Sequence, residues 1–173
     1  MRLEHDLLGN FEVPSHAYWG VHTGRAAENF PISGVPIGHY RSLIRALALV
    51  KQAAAEANCS VGELEPSIRD AIVAACAEVA EGKFDSQFIV DAIQGGAGTS
   101  TNMNANEVIA NLALEHMGRK KGEYEHCSPN DHVNYGQSTN DMYPTAFRLA
   151  LILRLNSYID SITALQGAFF AKA

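Results

Sequence analysis

Helical spacing dominates the apolar positions from Ile37 onward. Ile37, Tyr40, Leu43, Ile44 and Leu47 step by three and four, and an alanine-rich stretch carries the pattern to about Asn58, which predicts a helix. A second helix is predicted from Pro66–Ser67, where Ile68, Ala71, Ile72, Ala75 and Val79 form one apolar stripe and Gly82 stands where a C-terminal cap belongs. A third runs from about Asn102 to Met117 and stops at Gly118. After Asp141, apolar residues from Tyr143 to Phe169 recur at steps of three or four, with Leu149, Ile152, Leu153 and Ile159 off that seam. A helix apolar on several sides needs several neighbours. Between these elements, residues 84–94 read equally as a short strand or a poor helix. The stretch 119–137 is polar, with a turn at Pro129–Asp131. Residues 1–36, rich in Gly, Pro and aromatics, predict an extended arm or hairpin with loops rather than a helix.

Composition narrows the class without naming it. In 173 residues, 47% are hydrophobic and 18% charged, the balance of a soluble globular chain with room for one domain, or one and part of another. The 13 basic and 19 acidic residues give a net charge of −6, with no basic stripe, which argues against a nucleic-acid partner. Cys59, Cys76 and Cys127 are odd in number and lack CxxC spacing, so a reduced, cytoplasmic setting is expected. The N-terminus has no signal-peptide core, and the apolar run Leu149–Leu155 is too short to span a bilayer, so no membrane partner is expected.

Two segments concentrate hydroxyls and amides on turns that open into helices, GGAGTSTNMNAN (95–106) and QSTNDMYPT (137–145). A helix start has unpaired N–H groups and a partial positive charge, so it suits an anion. If the fold joins the two starts, Thr99, Ser100 and Thr101 on one and Ser138, Thr139 and Asn140 on the other frame a carboxylate or phosphate pocket. The plainer reading is capping by Thr101 or Asn102 and by the second cluster. Each cluster offers more such residues than a cap requires. The glycines from Gly95 to Gly98 lack the third glycine of a dinucleotide fingerprint, and no P-loop Gly-Lys-Ser/Thr is present. The histidines, including His126 and His132, have no metal-ligand spacing, so no metal site is expected. Cys127 has no evident base partner. Asp131 and Asp141 read as turn and N-cap residues, and Glu107 as an acid complementing its own helix's dipole.

The segments GGAGTSTNMNANEVIANLALE (95–115) and SPNDHVNYGQSTNDMYPTAFR (128–148), with EHDLLGNFEVPSHAYWGVHTGRAAENFPISG (4–34), resemble the aspartase/fumarase superfamily, and its aspartase branch most. The resemblance implies a mainly α fold. Residues 1–140 would form an N-terminal helical domain with a short extended or hairpin arm. Residues 141–173 would begin the first long helix of a central helical bundle, which in the family is pooled among four subunits. It also implies reversible loss of ammonia from L-aspartate to give fumarate, through a doubly charged aci-carboxylate. Thr99, Ser138 and Thr139 would hold that carboxylate and Asn140 the amino group, with Ser100 and Thr101 as further candidates. No organic cofactor is implied, and a divalent cation would be at most an activator. Fumarases resemble GSGTQSNMN where this chain has GAGTSTNMN (96–104), and they carry His-Pro-Asn-Asp where it has Ser128-Pro129-Asn130-Asp131.

The family's base is a serine on a loop with a Gly-Ser-Ser…Pro-x-Lys-x-Asn signature, and a Thr-His pair follows along the bundle. Neither pattern occurs in these residues. The 173-residue chain is therefore expected to hold no catalytic base and to be inactive alone, as the truncated front of a tetrameric lyase. Its bare bundle helix would favour dimers or other oligomers. The competing readings are a fumarase fragment and a non-catalytic assembly module of the same fold.

Overall fold

The computed structural model describes residues 1–94 and 96–173; Gly95 of the glycine-rich turn lies outside the described residues. The chain opens with a hairpin of β1 (Arg2–Asp6) and β2 (Gly9–Val13), antiparallel with Arg2 opposite Val13. Among the described residues five α-helices follow: α1 (Val21–Asn29), α2 (Arg41–Ser60), α3 (Pro66–Glu81), α4 (Thr99–His116) and α5 (Thr139–Lys172). The mainly helical fold with a hairpin arm is the one the sequence predicts.

Helix α3 follows its apolar stripe. Ala71, Ile72, Ala75 and Val79 are buried, Pro66 opens the first turn, and Gly82 closes the helix in the left-handed conformation. Helix α2 begins later than its spacing suggests, because Ile37–His39 form a 3-10 turn instead. That turn is held from outside the helix. Ile37 and Gly38 donate to the carbonyls of Val90 and Phe88 at 2.9 and 3.0 Å, and Ala92 donates back to Val35 at 2.8 Å. Residues 84–94 thus form neither a regular strand nor an α-helix. They make a 3-10 turn at Asp85–Gln87 and then an extended edge against 35–38.

The arm departs from expectation at α1, a helix where loops were predicted. Its start has no local side-chain cap. Instead, Glu107 of α4 accepts from the N–H groups of Gly20, His22 and Thr23 at 2.8, 2.9 and 3.1 Å, and Glu4 of β1 accepts from Val21 at 2.9 Å. Two remote carboxylates thus satisfy donors that a helix leaves unpaired. Gly20 leaves room for them, since a Cβ there would lie 2.6 Å from Glu4 Oε2 and 2.9 Å from Glu107 Cδ. Glu107 therefore serves another helix's dipole, not its own.

Helix α4 is the centre of the fold, and nearly all of it from Thr101 to Leu114 is buried. Val108, Ile109, Leu112 and Leu114 enter the main core with Ile44, Leu47, Ile72 and Val79. Its polar side chains bind segments outside the α-helices and the hairpin. Asn104 donates to the Gln87 carbonyl at 3.0 Å, and Asn111 donates to the Tyr18 carbonyl at 2.8 Å while accepting from Gly122 N–H at 2.8 Å. Helix α5 starts on this core, burying Met142, Ala146 and Ala150, and residues 154–173 are all exposed.

Glu107→Ala would orphan three N–H groups, two of them buried, and should lower unfolding stability by about 3–5 kcal/mol, read from urea melts. Glu107→Gln, which keeps an acceptor, should cost less. Glu107 also bonds His22 Nδ1 at 3.0 Å, and this bond raises the imidazole's pKa above its ordinary 6.5. That contribution is fully present below pH 6.5 and lost as pH rises through the raised folded-state value. The stability gap between wild type and Glu107→Ala should narrow across that rise.

Candidate active site at the joined starts of two helices

The starts of α4 and α5 meet. Asn102 Nδ2 donates to Thr139 Oγ1 at 3.1 Å, and Gly98 lies against the Tyr143 ring. Gly98 is required there twice over. Its φ is +89°, and a Cβ would fall 2.5 Å from the ring. A hollow of about 540 Å³ opens beside this junction, lined by Ile93, Gln94, Gly98, Asn140, Tyr143 and Pro144 among others. A larger groove of about 670 Å³ lies between α5 and the start of α2, with Leu43, Phe147 and Leu151 in its wall. Neither lining includes the hydroxyls singled out from the sequence; of the candidate residues, Asn140 alone lines the smaller hollow.

Four of the five candidate hydroxyls make a side-chain hydrogen bond, all but that of Ser100. Ser138 caps α5, its Oγ accepting from Asn140 N–H at 3.2 Å. Thr139 Oγ1 accepts from Asn102. A hydroxyl has one proton and two lone pairs, so in both residues the proton is left to donate elsewhere. Thr99 instead donates to the Gly96 carbonyl at 2.6 Å. Ser100 is half-buried, whereas Thr101 is fully buried, with Oγ1 accepting from Gln94 Nε2 at 2.6 Å. Asn140 is exposed at the hollow's edge. Pro144, inside α5, has no N–H to return to the Asn140 carbonyl.

The N-cap of α4 is Gly98, not Thr101 or Asn102, and it makes no side-chain cap bond. The cap function passes to Gln94, whose Oε1 accepts from Thr101 N–H at 3.1 Å. Gln94 Nε2 donates in turn to the Asp91 backbone carbonyl at 3.4 Å. The Asp91 carboxylate accepts from Ser33 Oγ, Ser33 N–H and Ile93 N–H at 2.7 Å each, and from Gly34 N–H at 2.8 Å. The Ser33 hydroxyl and these N–H groups hold its pKa down to about 2, against a lesser desolvation effect.

Sequence reasoning passed over Lys51, which is 0% exposed. Its ammonium donates to Asn134 Oδ1 at 2.8 Å and Gln137 Oε1 at 2.9 Å. Burial brings its pKa down to about 7. The available signal was position, since Lys51 lies four residues beyond Leu47 on the buried face of α2.

The other candidates lie away from the junction or are engaged. The Cys127 thiol is buried, and burial pushes its pKa up to about 12, away from nucleophile chemistry. Ser128 accepts from the Asn130 and Asp131 N–H groups at 3.2 and 3.1 Å, capping the π-helical turn Pro129–Val133. Among the described residues no group of three or more His, Cys, Asp or Glu side chains converges as a metal site, and no helix is long and apolar enough to cross a membrane.

This architecture is the fumarate-lyase fold. The chain superposes with a TM-score of 0.97 on native fumarate lyase:delta crystallin from Brucella melitensis, at 53% identity, covering 99% of this chain and 38% of that one. Against class II fumarase from Schistosoma mansoni the TM-score is 0.79 at 38% identity, covering 87% of this chain and 31% of that one. The chain belongs to the lyase family, whose model matches residues 9–173. It is 58% identical over 171 residues to the aspartate ammonia-lyase of Pseudomonas aeruginosa, a match covering 99% of this chain and 36% of that relative. It therefore spans little more than a third of the length of such relatives.

Two predictions concern the placement of the α4 start. The pKa of Asp91 is lowered from 3.8 to about 2, so its contribution to stability is present above pH 3.8 and lost as pH falls toward 2. Acid unfolding of Asp91→Asn should lack this component, starting from lower stability at neutral pH and falling less steeply between pH 4 and pH 2. Gln94→Ala removes both bonds to Thr101 and should cost about 1–3 kcal/mol in thermal or urea unfolding.

Proposed function

We propose that this chain supplies the carboxylate grip of an aspartate ammonia-lyase, which converts L-aspartate reversibly to fumarate and ammonia. The observation that carries this reading is the Asn102–Thr139 bond. It joins the two hydroxyl-rich helix starts while leaving the Thr139 proton free. The 58% identity to the Pseudomonas aeruginosa enzyme over nearly the whole chain favours aspartate over malate as substrate.

Removing a proton from the carbon beside the β-carboxylate places a second negative charge on that carboxylate. The C–H is a weak acid, so the barrier depends on donors already aimed at the developing charge. Ser138 and Thr139 hold protons available to it, and Thr99 joins them once its hydroxyl turns from the Gly96 carbonyl. The partial positive charge of the two helix starts adds to these donors. Asn140, at the rim of the hollow, takes the substrate amino group. The base and the rest of the site come from residues outside this stretch and from partner subunits of a homotetramer, so the 173-residue chain alone is inactive. Residues 1–140 act as the lyase domain, and 141–173 begin the bundle. The protein works in the cytoplasm without an organic cofactor.

The test follows fumarate absorbance with L-aspartate and with L-malate. The proteins are this chain alone and a full-length hybrid in which it replaces the matching stretch of the Pseudomonas aeruginosa relative. The expected result is an aspartate-active hybrid and an inactive isolated chain. Thr139→Ala or Ser138→Ala in the hybrid should lower kcat/KM by about 100-fold or more, the usual loss for one such donor. A hybrid active on malate and not on aspartate would overturn the substrate assignment.

A further inference from the structure

The buried Lys51 ammonium makes no ion pair among the described residues and has no place in the steps above. An ammonium only donates, and the neutral amine that forms above pH about 7 still has the two N–H groups these bonds use. Asn134 and Gln137 must both turn their oxygens toward it, and their nitrogens are held from the other side. Asn134 Nδ2 donates to the Gln137 carbonyl at 3.0 Å, and Gln137 Nε2 to the Val133 carbonyl at 2.9 Å. With Asn134 Oδ1 fixed, the adjacent Asn102 has to present its nitrogen, which donates to that oxygen at 3.0 Å. The same nitrogen donates to Thr139 Oγ1 at 3.1 Å.

A second observation shows that Asn102 is held and does not choose its orientation. Its Oδ1 is buried without a partner. Turned over, that oxygen could accept the Thr139 hydroxyl proton, but it would also face the Asn134 oxygen. The fixed amide keeps the turned form out.

We infer that Lys51 is a positioning residue for the substrate grip: through Asn134 and Asn102 its ammonium makes Thr139 an acceptor on the protein side and so frees the hydroxyl proton for a substrate carboxylate. This rests on the reading of Thr139 given above. Without the cation, Asn134 and Asn102 can turn together, and the Thr139 proton is drawn into the protein. Asn102→Asp has the same effect by a different route, because a carboxylate can only accept.

The experiment is a double-mutant cycle in the full-length hybrid, with aspartate kcat/KM as readout and thermal melting as the check on folding. Thr139→Ala sets the reference. Lys51→Met and Asn102→Asp should each lower kcat/KM by about tenfold, since the donor is misdirected but not deleted. In the Thr139→Ala background the same changes should cost less than about twofold, because coupled residues are non-additive. A lysine that only supports the fold would lower activity equally in both backgrounds. Equal losses, or folded variants within about twofold of wild type while Thr139→Ala is strongly impaired, would overturn the inference. Thr139→Ala indistinguishable from wild type would remove the grip assignment itself, and this inference with it. If Lys51→Met does not fold, Asn102→Asp carries the test, since it leaves the side-chain volume unchanged.

Discussion

Buried peptide groups need partners, and in this protein many of those partners are side chains of one helix. Helix α4 is enclosed almost all round between Thr101 and Leu114, so the polar residues of that stretch meet other protein. Glu107 satisfies the start of α1, Asn104 the loop at Gln87, Asn111 the backbone at Tyr18 and Gly122, and Asn102 the start of α5. A central helix of leucine and alanine alone would pack as well but would leave these donors and acceptors unpaired at the centre of the fold. The apolar contacts supply the bulk of the stability. The polar side chains decide which irregular segments lie where.

That division explains what was legible before the structure. Helix α3 could be read from end to end, because its stripe, its first-turn proline and its closing glycine are all local signals. Helix α5 was legible for the same reason, within two residues of its start. Helix α1 was not, because its caps come from Glu4 and Glu107, far away in the chain. Helix α4 begins three residues before Asn102, since Gln94 takes over the capping that Thr101 or Asn102 would otherwise provide. The edge between 35–38 and 88–92 was hidden similarly, as neither half has a pattern of its own.

The candidate site divides along the same line. Its hydroxyls lie in two short, recognisable segments, which with residues 4–34 carry the resemblance to the aspartase/fumarase superfamily. The groups that orient them do not. Asp91 reaches the α4 start through its backbone carbonyl and Gln94, and Lys51 reaches the α5 start through Asn134 and Asn102. Only Lys51 left a trace in the sequence, as one charge on an otherwise apolar face.

The remote capping of α1 also has a consequence for the order of events on the ribosome. Gly20 and Glu107 are separated by 87 positions. At about 5–20 residues per second, the acceptor emerges several seconds after the donors it will satisfy. Over that interval the first thirty residues have the hairpin and Glu4 but lack the central helix that completes α1. The arm is thus made well before it can settle, and it stays open to chaperones and proteases until α4 arrives.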